Sequence, residues 1–113
     1  MDRVVTYRKI VKELLQCQAE RMSRYPQATI ETQLSFDDEY GNYLLLSVGW
    51  TKAGRMLVPT IYLRLQQGKV WVENDWTEAG IVDALLEHGV PEQDIVLAFH
   101  SPEMRVYTEF AVA

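Results

Sequence analysis

Three short stretches of this 113-residue chain carry side chains whose types and spacing suit chemistry. Asp37, Asp38 and Glu39 are the densest group of carboxylates, and such oxygens suit a hard cation. A calcium loop also needs alternating ligands and a closing glutamate at fixed spacing, and neither follows; a solvated hairpin tip is the expectation. His100 beside Ser101 has the composition of a base and a nucleophile. Adjacent residues in an extended chain point to opposite sides, however, and no glycine elbow exposes the serine. Pro102 biases Ser101 toward extended backbone, so the pair reads as a turn. The stretch GWTKAGR at Gly49–Arg55 imitates a phosphate loop but lacks the closing Lys-Ser/Thr, and the residues after it are strand formers. His88, His100 and Cys17 are too few and too scattered for zinc. The expectation is no catalytic residue, no cofactor and no metal, with a small enzyme using His100 as an alternative.

A second alternative is a nucleic-acid-binding module. Trp50, Trp71 and Trp76, with Tyr43 and Tyr62, would form a stacking platform if they shared a sheet face with cations; Trp71 and Tyr62, near Arg64 and Lys69, are the candidates. The charge distribution opposes this reading. The net charge is −5, and its sign changes along the chain. Residues 1–24 hold six Lys or Arg against three acids, whereas from Glu73 onward nine acids face one base, Arg105. An acidic final third repels phosphates and favours encounter with a basic protein surface. Tight direct DNA binding is not expected.

The elements that must hold these residues follow from periodicity. Asp2 is placed to cap a helix whose apolar residues Val4, Tyr7, Val11, Leu14 and Leu15 recur at threes and fours, with Ile10 widening the stripe. Pro26 ends it near Met22–Tyr25. From Thr29 the period is two: Ile30, Thr32, Leu34 and Phe36 alternate with polar residues, a half-buried strand. A turn at Asp37–Asn42 leads to a more buried strand, Tyr43–Trp50. Thr51–Arg55 turns the chain into Met56–Leu65, where Pro59 marks an edge or a bulge. Gln67 and Gly68 turn it again into Val70–Val72. Connections this short demand an antiparallel meander. Thr77 is expected to cap a second helix with Ile81, Val82, Leu85 and Leu86 on one face, closed by His88, Gly89 and Pro91. Ile95–Phe99 reads as a buried strand or extended segment, Val106–Val112 as a further strand, and Pro91–Asp94 as either part of this run or a helical turn. The fold class is α+β: an antiparallel sheet of four or more strands with two helices packed on one face, in a single domain over residues 1–113.

A chain of this length buries enough surface to fold without metals or disulfides. Its apolar runs fall far short of the ~20 residues that cross a bilayer, so no membrane partner is expected. Asp2 and Arg3 lead directly into the amphipathic helix without a signal-peptide pattern, and the lone Cys17 suits a reducing compartment; a cytoplasmic protein is expected.

The ending Gly89-Val90-Pro91, then Asp94-Ile95-Val96-Leu97, Phe99-His100-Ser101-Pro102 and Thr108 to Ala113 (TEFAVA) resembles that of the XisI family, cyanobacterial accessory proteins that control excision of the fdxN DNA element. The resemblance extends to Tyr7-Arg8, Leu44–Trp50 (LLLSVGW), Gly68–Val72 (GKVWV) and the acidic segment from Thr77. It implies a non-enzymatic controlling factor working beside a site-specific recombinase and a companion XisH-like protein. Taken with the charge asymmetry, it implies a docking surface for a basic XisH-like partner at Glu87, Glu92 and Asp94. A homodimer is also left open. Phe110 and Val112, two apart, fall on one side of an extended segment, so the apolar terminus is either docked in the core or offered to a partner.

Overall fold

A computed structural model describes residues 3–24, 29–77 and 80–113. Helix α1 runs from Arg3 to Ser23 and buries Tyr7, Val11, Leu14 and Leu15, the stripe that the spacing predicts. Asp2 and Pro26, assigned to its two ends, lie outside the described residues.

Four strands follow as an antiparallel meander: β1 Ile30–Asp37, β2 Asn42–Thr51, β3 Gly54–Gln66 and β4 Lys69–Asp75. Side chains alternate between two faces, so Tyr43 and Leu45, Ile61 and Leu63, and Val70 and Val72 all turn toward α1 and are buried. Pro59 sits beside a bulge in an interior strand: Leu45 faces Ile61 while Leu46 faces Pro59, leaving Thr60 as the extra residue. Two glycines are needed by close approach. Gly41, at φ 74°, would place a Cβ 2.5 Å from the Leu65 carbonyl oxygen, and Gly49 would place one 1.9 Å from that of Thr29.

After β4 the chain crosses over through α2 (Ile81–Glu87) and a 3-10 turn (Glu92–Asp94) to β5 (Ile95–Leu97), which lies parallel to β4. Parallel neighbours need such a crossover. The sheet order is β1-β2-β3-β4-β5, and α1 and α2 share one face over a core completed by Ile81, Leu85, Val90, Ile95 and Leu97. The α+β class is therefore as expected.

Two local expectations are corrected. Thr77 does not cap α2: its N–H and hydroxyl donate to Asp75, and the other Asp75 oxygen accepts the Ile81 N–H at 2.7 Å. A strand-end carboxylate thus serves the helix start from six residues away, which no local capping pattern reveals. Residues 106–112 form no strand. The helical turn α3 (Pro102–Arg105) and further turns precede a single bridge from Ala111 to Val96. Pro102 starts α3, and the N–H groups of Tyr107 and Thr108 then donate to the carbonyls of Met104 and Arg105, so the chain keeps turning where a strand would have to extend.

Candidate interaction surfaces

The acidic hairpin tip is satisfied from within. Asp37 accepts the backbone N–H groups of Glu39 and Tyr40 and the amide of Asn42. Asp38 accepts Lys12 and the Tyr43 hydroxyl, each at 2.8 Å, with Arg8 at 3.7 Å. The hydrogen bond from Lys12, then that from Tyr43, holds the Asp38 carboxyl below its usual range. Asp37 thus closes the β1–β2 turn on itself, and Asp38 ties that turn to α1. Among the described residues no three His, Cys, Asp or Glu gather as metal ligands.

His100 and Ser101 lie in the turn after β5, and no hydrogen bond joins their side chains. The His100 ring lies against Phe99, with centroids 4.6 Å apart, and the Ser101 carbonyl accepts the N–H groups of Met104 and Arg105. Ser101 leads into α3, an ordinary structural place for serine. Gly49–Arg55 is a hairpin whose Thr51 hydroxyl bonds the Gly54 carbonyl and the Ala53 N–H; strand, not helix, follows it.

The aromatic residues divide between the two sides of the sheet: Tyr62 and Trp71 share the face away from the helices with Arg64, whereas Tyr43 and Trp76 lie on the helix side. Tyr43 is in the core, Tyr62 donates to Asn42 at 2.7 Å, and Trp76 borders an apolar cleft beside Met22, Met56 and Val58. That cleft, of about 1040 Å³, opens between the end of α1 and the helix-facing side of β1–β3, and no periodicity in the sequence announces it. Trp71 lies on the opposite face between Arg64 and Arg105, at 5.8 and 5.5 Å. Arg64 is paired with Glu73 at 2.9 Å, and Arg105 is committed to backbone carbonyls, so neither is free for phosphate.

Arg105 is the functional-looking residue whose role sequence reasoning missed, although it stood out as the one base of the acidic third. Its guanidinium donates to the carbonyls of His100 (3.0 Å), Leu97 (3.3 Å), Val112 (3.3 Å) and Ala98 (3.4 Å). It clasps the last residues to the end of β5. Lys69 donates to the Ala113 carbonyl oxygen, and Phe110 packs against the core. Val112 is half exposed, so Phe110 and Val112 do not share one buried side as an extended segment would require.

The three acids expected to meet a partner occupy different environments. Glu87, at the end of α2, is exposed; Glu92, in the 3-10 turn, is half-buried; Asp94 is buried. The Asp94 carboxylate accepts the Tyr7 hydroxyl at 2.5 Å and stands 3.8 Å from Arg3, facing α1 rather than solvent. Neither Glu87 nor Glu92 is in an ion pair among the described residues, whereas Glu73 and Asp94 each have one and Asp38 has two. Asp83 lies one helical turn before Glu87, and α2 has no base in its last turn; Arg21, on the facing helix α1, lines a small cleft with both acids.

The arrangement defines a small α+β domain whose polar clusters at Asp38, Asp75, Asp94 and Arg105 hold its own elements together, with partly exposed apolar surfaces and with Glu87 and Glu92 in no ion pair among the described residues. The chain belongs to the XisI family: the family model for XisI protein matches residues 1–112. It is similar to the crystal structure of a XisI-like protein from Anabaena variabilis ATCC 29413, with a TM-score of 0.90 and 33% identity over 97% of this chain and 99% of that one. It is also similar to fdxN element excision controlling factor XisI from the same organism, with a TM-score of 0.84 and 37% identity over 99% of this chain and 100% of that one. No curated protein matches the chain. No helix among the described residues is long and apolar enough to cross a membrane.

Proposed function

We propose that this protein is a non-enzymatic factor controlling excision of a DNA element of the fdxN type, acting in the cytoplasm through contacts with a basic XisH-like protein and, through it, with a site-specific recombinase. The observation that carries the reading is the full-length similarity to an excision controlling factor. The local chemistry is compatible with it: His100 and Ser101 serve a turn, and Glu87 and Glu92 are in no ion pair among the described residues. Opposite charge on a partner accelerates encounter and fixes its orientation. Asp94, turned inward, supports this corner through Tyr7 and is not itself a contact.

Replacing Glu87 and Glu92 together by Lys is expected to slow association with the XisH-like partner by roughly tenfold at low salt while leaving the unfolding midpoint unchanged, since rim charges act on encounter. Stopped-flow or surface-capture kinetics at two salt concentrations make the measurement. Association as fast as that of the parent protein rules the acidic corner out.

Direct DNA binding is expected to be weak. Phosphate neutralisation requires free Lys and Arg, and Arg64 and Arg105 beside Trp71 are already engaged. Fluorescence anisotropy with duplex and single-stranded probes should show no saturable binding at micromolar protein. Submicromolar, steeply salt-sensitive binding to an element end would favour the nucleic-acid module instead.

A further inference from the structure

The chain treats the two edges of its sheet differently. Beyond β5, Ala111 bridges to Val96 and donates to the Ile95 carbonyl at 2.9 Å, so the terminal segment covers that edge. Among the described residues, strand β1, at the other edge, pairs with β2 alone. Its free backbone groups can be identified from register. The Trp50 N–H donates to the Thr29 carbonyl at 3.0 Å, one step before the Ile30–Gly49 pair. Antiparallel pairs alternate between bonded and non-bonded, so Glu31, Gln33 and Ser35 direct their N–H and C=O groups to β2. Ile30, Thr32, Leu34 and Phe36 direct theirs outward. Natural edges are usually guarded by Pro, Lys or a bulge. The sequence IETQLSFD has neither Pro nor Lys, its charges being Glu31 and, at the turn, Asp37, and its register against β2 is unbroken over all 8 residues.

We propose that this edge pairs with the same edge of a second copy, antiparallel, about a two-fold axis through Gln33. This goes beyond the excision role and does not depend on it. A two-fold axis normal to the sheet keeps both helical faces on one side, which requires like parity of opposed residues and so centres the pairing on a residue. Centring on Gln33 sets Ile30 against Phe36 and Thr32 against Leu34, twice by symmetry, so every outward N–H and C=O of the strand is used. Glu31 then faces Ser35. Centring on Leu34 would oppose Asp37 to Glu31 and leave Ile30 beyond the paired strand; centring on Thr32 would do the same to Phe36. Charge and hydrogen bonding both select Gln33. The two five-stranded sheets become one continuous sheet, and Leu34, 37% exposed in one copy, is covered by the partner strand.

Analytical ultracentrifugation of the full chain, from low to high micromolar, tests this with three variants. The parent protein should show a monomer–dimer equilibrium. Ser35→Glu sets a carboxylate against Glu31 of the second copy at two places and should weaken the dimer by about tenfold or more, whereas Ser35→Lys should tighten it. Leu34→Pro deletes an outward N–H that the chain's own ladder does not use and should yield monomer with the circular dichroism of the parent. If Leu34→Pro fails to fold, the opposite shifts of the two Ser35 variants still decide. A parent that stays monomeric throughout, or a dimer equally tight in both Ser35 variants, overturns the proposal.

Discussion

Deletion of residues 110–113 is expected to lower the free energy of unfolding by about 2–4 kcal/mol, a large part of the roughly 5–15 kcal/mol typical of a domain. Phe110 is half-buried against the core, so its loss counts for less than full removal of a core aromatic. The deletion also removes the Ala111 N–H bond to Ile95, the Lys69 bond to the terminal residue and one acceptor of Arg105, and it uncovers Val96, which is fully buried. Arg105→Ala should destabilise by a similar amount, on the order of 2–3 kcal/mol, because several carbonyls lose a charged donor at once. Arg105→Lys should recover little, since an ammonium cannot reproduce the planar fork over Trp71. Urea melts beside a partner pull-down separate core from interface. Unchanged midpoints with lost capture would make the terminus a partner anchor, with half-exposed Val112 its foremost residue.

The parts of the molecule legible in the sequence are those set by short-range pattern. The α1 stripe, the alternation in β1 and β2, and the Pro59 bulge appear where periodicity and proline chemistry put them, because each depends on neighbours in the chain. What periodicity leaves unresolved depends on distant partners. A buried run such as Ile95–Leu97 has the same composition whether it adds parallel or antiparallel; the crossover through α2 decides. Asp75 looks like an ordinary strand-end acid until the fold returns the start of α2 to it. Charge counting finds Glu87, Glu92 and Asp94 together, but Asp94 turns inward because Tyr7 and Arg3 wait on a helix more than eighty residues earlier.

That inward contact makes stability sensitive to alkaline pH. The Tyr7 phenol is pushed up to about 12, first by burial, then by the hydrogen bond it gives Asp94 and by that carboxylate's charge, with Arg3 opposing. An unfolded tyrosine titrates near 10. The folded state therefore holds the proton more tightly: the contribution is complete below about pH 10 and is lost as pH rises from about 10 to about 12, amounting to roughly 2–3 kcal/mol. Tyr43, also raised by burial and by its bond to Asp38, adds a slope of the same sign. Tyr7→Phe should cost about 1–3 kcal/mol at neutral pH, because the buried carboxylate keeps only Arg3, and should flatten the alkaline decline, leaving the slope due to Tyr43. Urea unfolding of both proteins between about pH 8 and about pH 12 measures this, and parallel curves would show that Tyr7 does not carry the effect. Asp94→Lys should fail more severely, since it places an ammonium beside Arg3 in a site with no carboxylate left. Lost partner capture in that variant would report lost folding, which is why the acidic corner is tested with Glu87 and Glu92 alone.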